Sequence, residues 1–157
     1  MKEITKKEII LLCGKSASGK DFTAKAFNLN LVISHTTRAP RKGEFQHIHK
    51  HFHSHYEDLG DTVAYTKRGK YEYWVREKDL DEGDAYIIDL PGIKYLLNWK
   101  QNKYKFKILY IKCSLFKRIW RLFKREKSIF EVINRLWIDY KDFKDVEKYA
   151  DIIMEYK

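Results

Sequence analysis

Glu8-Ile9-Ile10-Leu11-Leu12-Cys13, followed at once by Gly14-Lys15-Ser16-Ala17-Ser18-Gly19-Lys20-Asp21, decides the fold. A short apolar run that stops at a glycine reads as a buried strand. The seven residues from Gly14 to Lys20 fit G-x-x-x-x-G-K. Glycines there let successive backbone N–H groups converge on phosphate oxygens. Lys20 adds a cation that can follow the phosphate charge. Residues Asp21 to Phe27 read as a helix, and its N-terminus places further positive charge at the same point. Strand, phosphate loop and helix make the first unit of an α/β fold. Asp21 stands where Ser or Thr is usual. A hydroxyl at that position helps hold Mg²⁺, and a carboxylate repels triphosphate unless it binds the metal directly or through water.

Outward from this unit, Leu31 to Ser34, Ala85 to Leu90, Phe106 to Cys113 and Asp151 to Met154 are further strand-like apolar runs. Val63 to Val75 alternates and predicts a hairpin turning near Arg68-Gly69-Lys70. Ile93 to Lys100 reads as a helix. Ser114 caps another, with Leu115, Phe116, Ile119, Trp120 and Phe123 on one side and Lys117, Arg118, Arg121, Lys124 and Arg125 on the other. Ser128 with Glu131 forms a capping-box pattern that opens a helix with an apolar face of Ile129, Val132, Ile133, Leu136, Trp137 and Tyr140. The aromatic side of the first of these helices is expected to pack into the core, and its basic side to face phosphate. Strands alternating with helices predict a parallel sheet flanked by helices, in a single domain over residues 1–157.

Composition narrows the class. An apolar content of 44% excludes a disordered chain. No run approaches the roughly 20 apolar residues of a membrane span. The charged start lacks a secretory apolar stretch, so a cytoplasmic protein is expected. Cys13 and Cys113 each sit in an apolar run and read as free buried thiols. A net charge of +10 attracts polyanions and by itself does not choose among nucleotides, nucleic acid and an anionic membrane.

The second motif is Ser34-His35-Thr36-Thr37-Arg38-Ala39-Pro40-Arg41-Lys42-Gly43-Glu44. A phosphate monoester carries about two negative charges near neutral pH. Drawing one toward a triphosphate requires cations between them, and Arg grips phosphate through paired hydrogen bonds. The segment resembles the acceptor-binding segment of guanylate kinases, S-x-T-T-R-x-P-R-x-G-E, and the resemblance extends over nearly the whole chain. Short phage-encoded nucleotide kinases are its nearest look-alikes. The form G-K-x-x-S-G-K-D is also seen in phosphomevalonate kinases and some phage deoxynucleotide kinases.

The resemblance implies a P-loop kinase fold with a small acceptor-binding lobe, about residues 35–78, and a short lid, about 121–128. It implies ATP-dependent phosphoryl transfer to a nucleoside monophosphate, GMP, dGMP or another, with Mg²⁺ accompanying ATP. ATP phosphates would lie on Gly14, Ser16, Ala17, Ser18, Gly19, Lys20 and Asp21. The acceptor would take Ser34, Arg38, Arg41, Glu44, Lys50, Tyr71 and Asp89. Lys20, Arg121, Arg125 and Arg135 would serve catalysis, and Asp21 and Asp89 would hold the metal through water. ATP and the monophosphate are the implied partners, with neither membrane nor nucleic acid.

Several positions depart from the family pattern. Lys50 stands where the family has Tyr. The guanine-reading Glu should fall near Val63 to Thr66, where no carboxylate occurs. The family's G-x-Y-Y-G becomes Gly69-Lys70-Tyr71-Glu72-Tyr73, which makes Glu72 the substitute reader if the hairpin register shifts. His47, His49, His51, His53 and His55 alternate and on a strand would share one face, either as a metal site or as a polar face near the acceptor. A kinase of another phosphorylated small molecule and a catalytically inactive binding module are the rival readings.

Overall fold

The structure, a computed structural model, describes residues 6–40, 51–126 and 128–156. In chain order the first elements are β1 (Lys7–Cys13), α1 (Lys20–Ala26), β2 (Leu31–Val32), β3 (His35–Thr36), β4 (Thr62–Arg68), β5 (Tyr71–Arg76) and α2 (Glu77–Leu80). There follow β6 (Ala85–Ile88), α3 (Leu90–Asn98), β7 (Tyr104–Cys113), α4 (Leu115–Arg125), α5 (Ile129–Asp142), a 3₁₀ turn (Val146–Lys148) and β8 (Ile152–Tyr156).

Five strands form a parallel sheet in the order β2-β6-β1-β7-β8. β1 lies at its centre because its side chains alternate between two apolar layers, as the period of two requires. Ile9, Leu11 and Cys13 join Tyr86, Ile88, Ile93, Leu96 and Phe143 on one face. Leu12 joins Ala24, Ala85, Leu109 and Ile111 on the other. The expected α/β class, a parallel sheet between helices, is therefore present. Gly83 sets the β2–β6 edge: a Cβ there would stand 2.7 Å from both Asn30 O and Val32 N. That close approach lets the amides of Asp84 and Ala85 both donate to Asn30 O, at 2.8 and 3.1 Å.

A second, antiparallel sheet, β3-β5-β4, lies beside the first. Its hairpin turns at Gly69, with φ +62°, where the sequence placed it.

Three expectations need correction. The aromatic face of α4 does not pack inward: Phe116, Trp120 and Phe123 are exposed, as are Phe130 and Trp137 of α5, and the buried positions of the two helices are Arg118, Leu122, Val132 and Asp139. What lies beneath these helices is the polar backbone of the phosphate loop, so the contact takes a guanidinium and a carboxylate. The capping box at Ser128 does not form, because its hydroxyl accepts from the amide of Phe130 (3.2 Å). The alternating histidines are not a strand where they are described: Phe52 makes only an isolated bridge to Thr36. His47 and His49 lie outside the described residues. Among the described residues no helix is long and apolar enough to cross a membrane.

Candidate active site

The loop between β1 and α1 needs its unusual residues. Gly19 has φ +105° and Ala17 φ +60°, which turns the backbone back on itself. A Cβ on Gly14 would stand 2.6 Å from Ser18 Oγ and 2.7 Å from Ile111 O. Ser18 Oγ is buried without a hydrogen-bond partner. Lys20 closes over its own loop, donating to Gly14 O (2.6 Å) and Lys15 O (3.1 Å). Burial, and then the positive field of Arg68, bring its ammonium pKa down to about 8.

Asp139 holds the loop from below. It is 1% exposed and accepts from both the amide (2.9 Å) and the hydroxyl (3.0 Å) of Ser16. Arg118 donates to the same carboxylate and, through Nε, to Ser16 O (3.0 Å). Arg68, at the end of β4, adds a third donor at 2.9 Å. Its Nε also lies 3.8 Å from Asp89 and 4.0 Å from Asp142. Burial raises the Asp142 carboxyl above its usual range, with Arg68 opposing and Asp89 and Asp139 adding to the rise.

A cavity of ≈ 800 Å³ opens above the loop. Gly14, Ser16 to Asp21, Ser34, Arg38, Tyr71, Asp89, Arg125 and Arg135 line it together. Asp89 combines the two roles open to a strand-end carboxylate. It caps α3 by accepting from Gly92 N (2.9 Å), and it accepts from Thr66 Oγ1 (3.1 Å) at the cavity wall. Ser34 Oγ donates to the Tyr86 hydroxyl (3.2 Å). Arg38 donates to Ala39 O (2.7 Å) and lies 5.7 Å over the ring of Phe52. Arg41, Glu44 and Lys50 lie outside the described residues.

No family model matches this sequence, and no curated protein matches it. Among solved structures, the crystal structure of guanylate kinase from Anaplasma phagocytophilum matches it at a TM-score of 0.57 with 17% sequence identity. The match covers 99% of this chain and 79% of that one. The fold is that of a guanylate kinase.

On the guanylate kinase fold, some expected site residues take other places. Arg121 does not line the cavity; it donates to Ala17 O (3.0 Å) and so braces the outside of the loop. Glu72 does not line it either. Its carboxylate accepts from the Tyr65 hydroxyl (2.7 Å), and burial followed by that bond pushes the Tyr65 pKa up to about 12. Thr66, Arg68, Lys70, Tyr71 and Tyr73 are the hairpin side chains that reach the cavity. His51 and His53 pack against His35, each ring 5.0 Å away. His35 in turn sits 2.9 Å from Asp79 and 2.9 Å from His53 Nε2. Burial alone would raise the Asp79 carboxyl, yet hydrogen bonds from His35 and the Arg76 amide hold it below its ordinary value. This cluster fixes β3 just before Thr36-Thr37-Arg38. Among the described residues no group of three metal-ligating side chains surrounds a common point.

The sequence reading passed over Asp139 and Glu126. Asp139 falls seven residues after Val132, on the one line of α5 that is buried, and an acid on a buried line is the signal that marks it. Glu126 accepts from both Arg125 and Arg135, each at 2.9 Å, and so holds two arginines of the cavity rim on one carboxylate.

Proposed function

We propose that the chain is an ATP-dependent nucleoside monophosphate kinase. One observation carries this reading: a phosphate loop with its lysine, and Arg38, Tyr71, Arg125 and Arg135 from four other segments, converge on a single cavity large enough for two nucleotides.

The donor phosphates lie over Gly14 to Lys20, where Lys20 exchanges its two loop carbonyls for phosphate oxygens. Arg38, with Arg41 and Lys50 of the same segment, holds the acceptor phosphate. An oxygen of that phosphate attacks the γ-phosphorus in line while the bond to the β-bridging oxygen breaks, giving ADP and the nucleoside diphosphate. The attacking oxygen is already ionised, so no general base is required. Catalysis then rests on position and charge. Arg125, in a short lid of about residues 121–128, and Arg135 leave Glu126 and close over the transferring group, while about residues 35–78 form the acceptor lobe. Arg121 contributes by holding Ala17 in its turned conformation.

Asp21, exposed in the first turn of α1, and Asp89 both line the cavity and present hard oxygen donors that suit hydrated Mg²⁺. The two carboxylates would hold that ion through its water, and when bound with ATP it would supply charge neutralisation at the triphosphate.

An ADP-release assay with ATP and a panel of nucleoside monophosphates tests the proposal. Turnover with at least one of them, abolished in Lys20→Ala with the circular dichroism spectrum unchanged, is the expected result. ATP binding without turnover on any monophosphate overturns it in favour of an inactive binding module.

A further inference from the structure

Helices α4 and α5 each have two working faces. Their inner faces carry Arg118 and Asp139 beneath the phosphate loop. Their outer faces carry Leu115, Phe116, Trp120 and Phe123, and Ile129, Phe130, Ile133, Trp137 and Tyr140, all exposed. Phe116 is 86% and Phe130 79% exposed, and no residue of this group is less than half exposed. Six of them are aromatic. At about 150–250 Å² for each such side chain, more than half of it in water, they present on the order of 800 Å² of apolar surface. The largest patch on an ordinary monomer is about 300–600 Å². One partner of a standard protein interface contributes about 800 Å².

The shape of the face narrows the occupant. Beside the projecting aromatics runs a groove of ≈ 900 Å³, walled by Leu115, Ile119, Leu136, Tyr140 and Phe143. A projection and a recess on one face are what a two-fold pairing of identical chains needs, since each copy then fills the other. Charge points the same way. The end of the groove is mixed in sign, with Lys144 and Lys148 beside Asp145 and Glu147. Asp145 is paired with Lys148 (2.8 Å) and Glu147 with Lys112 (3.0 Å) within one copy, so two such ends can meet by exchanging partners, whereas a flat bilayer would leave the groove unfilled. Lys124 and Lys141 lie over the rings of Trp120 (3.6 Å) and Trp137 (5.0 Å), so their stems add to the covered surface while their charges stay at its margin.

We propose that the outer face of α4 and α5 is the two-fold interface of a homodimer. The inference does not depend on the kinase reading. The groove reaches Lys15 at the flank of the loop, but none of the exposed apolar side chains lines the cavity above it, so pairing leaves the cavity of each copy open.

Sedimentation equilibrium of the full chain tests it. The expected mass is twice the 19.0 kDa of one chain. Phe116→Asp combined with Trp137→Asp is expected to halve the observed mass with an unchanged far-ultraviolet spectrum, since both positions are exposed in one copy. Two chains of net charge +10 repel, so the dimer fraction is expected to rise with added NaCl. A wild-type mass of one chain at micromolar concentration overturns the proposal. So does a dimer that the double variant leaves intact, or an open-ended series of larger species. A monomer that instead sediments with phosphatidylserine vesicles, and is released by salt, overturns it in favour of a lipid surface.

Discussion

Arg68 at the end of β4 and Asp139 in α5 meet at 2.9 Å across 71 residues of sequence. Through that contact the hairpin of the second sheet is tied to the carboxylate that holds Ser16. The hairpin and the phosphate loop therefore share one buried acid.

Removing that acid strands two guanidinium groups. Asp139→Ala is expected to cost about 3–5 kcal/mol of stability, as loss of one partner of a buried ion pair does. Asp139→Asn keeps an acceptor oxygen and should cost less. Arg68→Met leaves Arg118 on Asp139, so its effect should fall on kcat/KM more than on stability. Urea unfolding and steady-state kinetics on the three variants check the order. Equal stability losses for Asp139→Asn and Asp139→Ala would show that charge at this position carries the whole effect and the hydrogen bonds none.

Lys20 gives a pH signature. Its pKa in the folded protein, about 8, lies below the ordinary 10.5. Between those values the unfolded chain binds the extra proton, so stability is expected to rise as pH increases from 8 toward 10.5. Lys20→Met should lack that rise and be the more stable of the two proteins below pH 8. In the active enzyme, kcat/KM for ATP should fall as pH passes about 8, because the free enzyme loses the cation that meets the phosphates. Thermal melts of both proteins across this range decide the matter; parallel curves would refute the assignment.

Arg38→Ala is expected to weaken acceptor binding and to slow transfer by about 10²–10³ if the contact persists in the transition state. ATP affinity should hardly change, because Arg38 belongs to the acceptor segment. Separate calorimetric titrations with ATP and with the best acceptor test the division of labour. An equal loss in both would count against it.

Base choice is expected to be relaxed or shifted away from guanine. Guanine offers two donors on one edge, and a free carboxylate is the group that accepts both. Glu72 is occupied by Tyr65 and does not line the cavity, while Thr66, Tyr71 and Tyr73 do. Asp89, the buried carboxylate that does line the cavity, already accepts from Thr66 Oγ1 and Gly92 N, and a site without a free acceptor lacks the large penalty that hydrogen-bond readout imposes on the wrong base. Comparing kcat/KM over the eight common ribo- and deoxynucleoside monophosphates settles it. A preference of about a thousandfold or more for GMP and dGMP would require a guanine reader, since shape alone discriminates far less.

Strands, hairpin and phosphate loop were legible because each is encoded over a few neighbouring residues. The run Ile9 to Cys13 and the glycines at 14, 19 and 69 need no distant partner to be recognised. The outward face of α4 was not legible. Helical spacing shows that Phe116, Trp120 and Phe123 share a side, and says nothing of whether that side meets protein or water. Asp139 stayed hidden for a related reason: its partner Ser16 is 123 residues away, and only the folded chain shows that the buried line of α5 lands on the loop. The histidines misled because alternation was taken for a strand, whereas His51 and His53 are positioned by contact with His35.

The central place of β1 has a kinetic consequence. Cys13, the last residue of that strand, is registered with Ile88 on one side and Tyr110 on the other. The first strand of this sheet to be synthesised thus waits for about a hundred further residues before it is paired on both edges, and the loop beyond it waits longer still for Arg118 and Asp139. During translation an apolar segment stays without its neighbours for most of the time the ribosome takes to make the domain. Such late, non-local pairing slows folding and lengthens exposure to aggregation. For this chain the interval ends when the ribosome has released α5.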